Sequence, residues 1–86
     1  MVFKELTITN PEGLKAKAAA SFVQIANQYE SQILIEFSNK KINAKSIMGL
    51  LSLGVGSGDS IYVFSTGSDE KAALDALVDF ASTNLS

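Results

Sequence analysis

Ser46 is the residue whose type and position most suggest chemistry. It ends the polar approach Asn43-Ala44-Lys45-Ser46 and is followed at once by the apolar run Ile47-Met48-Gly49-Leu50-Leu51-Ser52-Leu53. Serine is a favoured helix N-cap, because its oxygen accepts from orphan N–H groups of the first turn. The positive end of a helix also suits an anion. A hydroxyl in that place, beside an apolar patch of Ile47, Met48 and Leu51, could carry a phosphate. The same residues also describe a plain capping serine on a core helix.

Several other chemistries are excluded by residue type. With no cysteine there is no disulfide, thiol nucleophile or thiolate metal site. With no histidine there is no imidazole base, phosphoryl acceptor or zinc ligand. All seven cations are lysines, so no guanidinium fork is present for carboxylate or phosphate. The carboxylates do not pair at a spacing that suggests acid–base work, and no nucleophile has a base beside it. The glycines of Gly54-Val55-Gly56-Ser57-Gly58 fit no phosphate-binding motif and read as a helix C-cap and loop. A non-enzymatic protein without cofactor or metal is the expectation.

A net charge of −2 argues against direct nucleic-acid binding. The charge is uneven. Lys15, Lys17, Lys40, Lys41 and Lys45 lie in the first half, and Asp59, Asp69, Glu70, Asp75 and Asp79 in the second. Either this is a solvated mixed surface, or the fold brings Lys15 and Lys17 to Ser46 as a basic face.

The positioning elements follow from periodicity. Val2–Thr9 reads as a strand with Val2, Lys4, Leu6 and Ile8 on one side. Asn10-Pro11-Glu12-Gly13 is a turn. A helix is expected from Leu14 to about Gln28, with the stripe Ala19, Phe22, Val23 and Ala26. Strands over Gln32–Phe37 and Lys40–Asn43, joined at Ser38-Asn39, form a hairpin. The Ser46 helix runs to about Leu53, with Leu50 and Leu53 toward the core. Ser60–Thr66 is a strand, and the last helix carries Ala73, Leu74, Leu77, Val78 and Ala81 to about Thr83. The order β-α-β-β-α-β-α over residues 1–86 predicts a single α+β domain with its helices on one face of an antiparallel or mixed sheet. No apolar run reaches the roughly 18 residues of a membrane span, and the first residues lack a signal-peptide pattern, so a cytoplasmic location is expected.

The segment Lys45-Ser46-Ile47-Met48-Gly49-Leu50 with Leu51-Ser52-Leu53, together with Phe22-Val23, resembles the HPr family, the small phosphocarriers of the bacterial sugar phosphotransferase system. The resemblance covers essentially the whole chain. It implies an open-faced β-sandwich, a four-stranded antiparallel sheet covered on one face by three helices. It also implies that the loop Gly13–Ala18 lies close to the Ser46 helix. The family's Gly-Leu-His-Ala-Arg-Pro-Ala loop is here Gly13-Leu14-Lys15-Ala16-Lys17-Ala18-Ala19. Lys15 stands where the phosphoryl-accepting histidine would be, Lys17 where the arginine would be and Ala18 where the proline would be. Phosphoryl transfer needs a free lone pair, and an ammonium with the ordinary lysine pKa of about 10.4 is neutral in only roughly one molecule in a few thousand at pH 7.

The chain is therefore most similar to the histidine-lacking, catabolite-repression branch of the family. That resemblance implies phosphorylation of Ser46 by HPr kinase/phosphorylase. It also implies corepressor binding to a LacI-type transcription regulator, catabolite control protein A. The implied docking residues are Lys15, Lys17, Ala20, Val23, Ile47, Met48 and Leu51. The alternative is a scaffold that binds metabolic enzymes without phosphorylation. A monomer or weak homodimer is expected.

Overall fold

Period-two alternation builds the sheet. The computed structural model describes residues 1–85 and contains β1 (Val2–Thr7), β2 (Gln32–Phe37), β3 (Lys40–Asn43) and β4 (Ser60–Thr66). The strands pair antiparallel in the order β1-β4-β2-β3. Leu6, Ile33, Ile35, Ile61 and Val63 lie on one side and are buried. Their neighbours Phe3, Glu5, Gln32 and Tyr62 lie on the other and are exposed.

Three helices cover the apolar side: α1 (Ala16–Ala26), α2 (Ile47–Leu53) and α3 (Glu70–Asn84). Their buried residues are Ala19, Phe22 and Ala26; Leu50 and Leu53; and Ala73, Leu74, Leu77 and Ala81. These side chains and the inner face of the sheet form one continuous core. Fully burying a side chain such as Phe22 contributes about 2–3 kcal/mol, and its ring also meets Phe80 edge-on at 6.3 Å. The architecture is the expected open-faced sandwich, α+β, with four antiparallel strands under three helices.

The element boundaries differ from the periodicity where backbone groups find other partners. β1 stops at Thr7, because the N–H groups of Thr9 and Asn10 donate to the Leu85 carbonyl at the end of α3. α1 starts at Ala16, not Leu14, because the Leu14 N–H donates to the Val55 carbonyl and its side chain is buried. α1 ends at Ala26 and tapers through N–H bonds from Gln28 to Ile25 and from Tyr29 to Ala26. Val23 and Val78, expected in the core stripes, are only partly buried. The hairpin turn Ser38-Asn39 has φ of 54° and 66°, the left-handed pair that a two-residue type I′ turn requires.

Asp69 ties the start of α3 to the start of β2. Its carboxylate accepts from the Glu30 N–H at 2.9 Å, the Ser31 N–H at 2.9 Å and the Ser31 hydroxyl. The Ser31 hydroxyl, followed by the Glu30 N–H, holds the Asp69 carboxyl below its ordinary 3.8. A lowered folded-state pKa contributes stability that is complete above 3.8 and is lost as pH falls below it. Chemical denaturation across an acid pH series should therefore show stability declining below 3.8. Asp69→Asn should be less stable at neutral pH and should show a shallower acid decline.

Candidate functional site

Helix α2 is short, so its cap matters. Ser46 has extended backbone (φ −113°, ψ 116°), and its Oγ accepts from the Gly49 N–H at 3.2 Å. The predicted N-cap is present, and Ser46 is exposed. Among the described residues, the N–H groups of Ile47 and Met48 find no protein acceptor. Gly54 closes the helix in the left-handed conformation at φ 68°. Between these ends α2 divides. Leu50 and Leu53 are buried, while Ile47, Met48 and Leu51 are exposed, Met48 by 74%.

Two clasps, one between backbones and one from a side chain, fix α1 against α2. At one end Leu14 N–H donates to the Val55 carbonyl at 3.0 Å. Gly13 packs there so closely that a Cβ would meet the Val55 carbonyl oxygen at 2.5 Å, and its φ is +68°. At the other end Asn27 Nδ2 reaches the Lys45 carbonyl at 3.4 Å while also holding the Val23 carbonyl. The two helices consequently run in opposite directions.

This geometry settles where the lysines lie. Lys15 is the N-cap of α1, in extended conformation, with no acid in the first turn of that helix. Lys15, Lys17 and Ala20 are exposed, and Val23 is half-buried. Of the loop Gly13–Ala18, expected close to the Ser46 helix, Gly13 and Leu14 lie on Val55 and Gly56, just past the C-terminal end of α2. An eleven-residue helix is roughly 16 Å long, and that length separates Lys15 and Lys17 from Ser46. The structure does not bring them together as a basic face. The cation next to Ser46 is Lys45, whose amine donates to the Tyr29 carbonyl at 2.6 Å. Ala16, between the two lysines, has φ 44°, a left-handed backbone that costs a non-glycine residue about 1–2 kcal/mol.

The exposed face of α1 extends further than the sequence suggested. Gln24 and Asn27 are exposed and continue the ridge of Lys17 and Ala20 at helical spacing. The i, i+4, i+7 interval from Ala20 was the available signal for both.

The family model for the PTS HPr component phosphorylation site matches residues 2–83. The chain belongs to the HPr family. It is 50% identical over 80 residues to the HPr-like protein Crh of Halalkalibacterium halodurans, covering 93% of this chain and 95% of that one. Its fold is similar to that of HPr from Thermoanaerobacter tengcongensis, with a TM-score of 0.94, 47% identity, and 96% and 93% of the two chains covered. Crh of Bacillus subtilis, described as a catabolite repression protein forming a dimer with a swapped domain, matches with a TM-score of 0.77 and 40% identity, over 100% and 99% of the chains. Within the HPr family, this chain is thus similar to proteins of catabolite repression.

The cap and the exposed patch make separable contributions to stability. Ser46→Ala should lower unfolding free energy by about 1 kcal/mol, since an N-cap oxygen is lost. Ser46→Asp should lower it less, and Met48→Ser should change it by less than about 0.5 kcal/mol because the side chain is on the surface. Urea titration of the three variants checks this.

Proposed function

We propose that this HPr-family protein is a non-catalytic regulatory protein switched at Ser46. The observation that carries the reading is an exposed capping hydroxyl directly followed by three exposed apolar side chains, Ile47, Met48 and Leu51. Phosphorylation adds a charge of about −1.5 to −2 and three strong acceptor oxygens. Those oxygens arrive beside the unpartnered N–H groups of Ile47 and Met48. The helix can therefore hold the phosphate without being rebuilt.

In this reading HPr kinase/phosphorylase modifies Ser46. The modified protein then acts as corepressor of a LacI-type regulator, catabolite control protein A. The phosphate and the Ile47-Met48-Leu51 patch form one half of the docking surface. Ala20 and Val23 continue it along α1, and Lys17 and Lys15 end it. Because the lysines lie at the far end of α1, they pair with acidic residues of the regulator and leave the phosphate to other cations. Such pairing relieves the unfavourable placement of positive charge at a helix N-terminus, about 0.3–1 kcal/mol each. The similarity to Crh supports this function, and the dimer described for B. subtilis Crh supports a monomer in weak equilibrium with a homodimer.

The competing reading uses the same apolar patch for docking metabolic enzymes without phosphorylation. Incubation with ATP and HPr kinase, followed by mass analysis, should add one phosphate to the wild type and none to Ser46→Ala. Phosphoenolpyruvate with the general phosphotransferase enzyme should leave both unlabelled. An unmodified wild type, or a phosphate retained in Ser46→Ala, contradicts the switch. A set of captured partners identical for wild type and Ser46→Ala supports the scaffold.

A further inference from the structure

The open side of the sheet carries a pattern that the Ser46 surface does not use. Phe3, Phe64 and Tyr62 form a stacked ladder, with ring centroids 5.6 Å and 6.3 Å apart. Phe3 is 58% exposed and Tyr62 40%. Strand register arranges this face in two rows. Glu5, Tyr62, Glu36 and Lys41 lie in line across β1, β4, β2 and β3. Phe3, Phe64, Leu34 and Asn43 form the next line. The Lys41 amine sits 5.1 Å from the Phe64 ring centre. Among the described residues the single ion pair joins the N-terminal amine to Glu70, so neither Glu5 nor Lys41 has an ionic partner among them.

We infer that this open face docks on a second copy of itself, about a two-fold axis parallel to the strands and between β4 and β2. This rests on the weak self-association proposed above and gives it a surface that, unlike the swapped domain described for B. subtilis Crh, needs no exchange of chain segments. The operation carries β1 over the partner's β3 and β4 over the partner's β2. Glu5 then faces the partner's Lys41, and the Tyr62 phenol faces the partner's Glu36. In the second row Phe64 faces the partner's Leu34. The first row complements itself with opposite charge at its two ends, while the uncharged second row places Phe3 over the partner's Asn43. Moving the axis onto β4 would place Glu5 over the partner's Glu36, so like charges oppose that arrangement. Sheets packed face to face lie about 10 Å apart, close enough for these side chains to meet. Four short strands offer roughly 300–400 Å² per copy, below the ~800 Å² of a standard stable interface, so the association is weak and reversible.

A dilution series followed by amide NMR and sedimentation tests this, from about 1 mM to about 20 μM, the range suited to a weak complex. Concentration-dependent shifts are expected at Phe3, Glu5, Leu34, Tyr62 and Phe64. Glu5→Lys or Lys41→Glu alone should weaken association roughly tenfold, and raised salt should weaken the wild type. The double variant should recover wild-type association, which also shows that the exchanged residues fold correctly. A dimer indifferent to both single reversals, or shifts confined to Ile47–Leu51, overturns the inference and leaves weak self-association standing. A monomer at every concentration overturns both.

Discussion

The backbone of Gly13 and Leu14 lies directly on Val55 and Gly56, and the proposed recognition face depends on that contact. Any side chain at Gly13 would collide with the Val55 carbonyl oxygen, so the chain can approach only as glycine. The contact pins the start of α1 to the end of α2. The Asn27–Lys45 bond pins the end of α1 to the start of α2. With both ends held, the helices cannot slide, and the distance between Lys15 and Ser46 is fixed by the length of α1. The Lys15 ammonium and the phosphate proposed at Ser46 would therefore occupy opposite ends of one surface. In the proposed complex a partner would read both, and they would not neutralise one another.

The division of labour within α2 follows from the same constraint. Leu50 and Leu53 are buried and anchor seven residues that would not form a stable helix in isolation. Ile47, Met48 and Leu51 remain in solvent, which fits an interaction surface, since large apolar side chains grouped outside a core mark such sites. Ser46 belongs to both halves. Its oxygen caps the helix, and its position makes it the first polar group a partner of the patch would meet. At the opposite end of the surface, beside Lys15, the backbone of Ala16 is left-handed at φ 44°.

What the sequence disclosed was local. The alternation around Ile33 and Ile35, the stripe through Ala19, Phe22 and Ala26, and the Ser46 cap all arise from neighbours within one turn or one strand, so residue order revealed them. Interactions between distant residues stayed hidden. Asp69 reads as an ordinary first-turn acid, yet its carboxylate holds Ser31, 38 residues away. Lys45 reads only as one of the first-half lysines, yet its amine is held by the Tyr29 carbonyl. α1 starts two residues later than periodicity predicts, because Leu14 looks helical while its N–H belongs to Val55. A basic face of Lys15, Lys17 and Ser46 was compatible with composition, and only the antiparallel course of α1 and α2 excludes it. The family resemblance supplied the sheet type that periodicity left open.

The most direct test of the account is titration calorimetry of catabolite control protein A with three forms of the chain: unmodified, phosphorylated at Ser46, and phosphorylated Met48→Ser. The account predicts measurable binding for the phosphorylated protein, little or none for the unmodified one, and an affinity lowered about tenfold or more by Met48→Ser, as expected for an interface anchor. Equal affinity for unmodified and phosphorylated protein would contradict it.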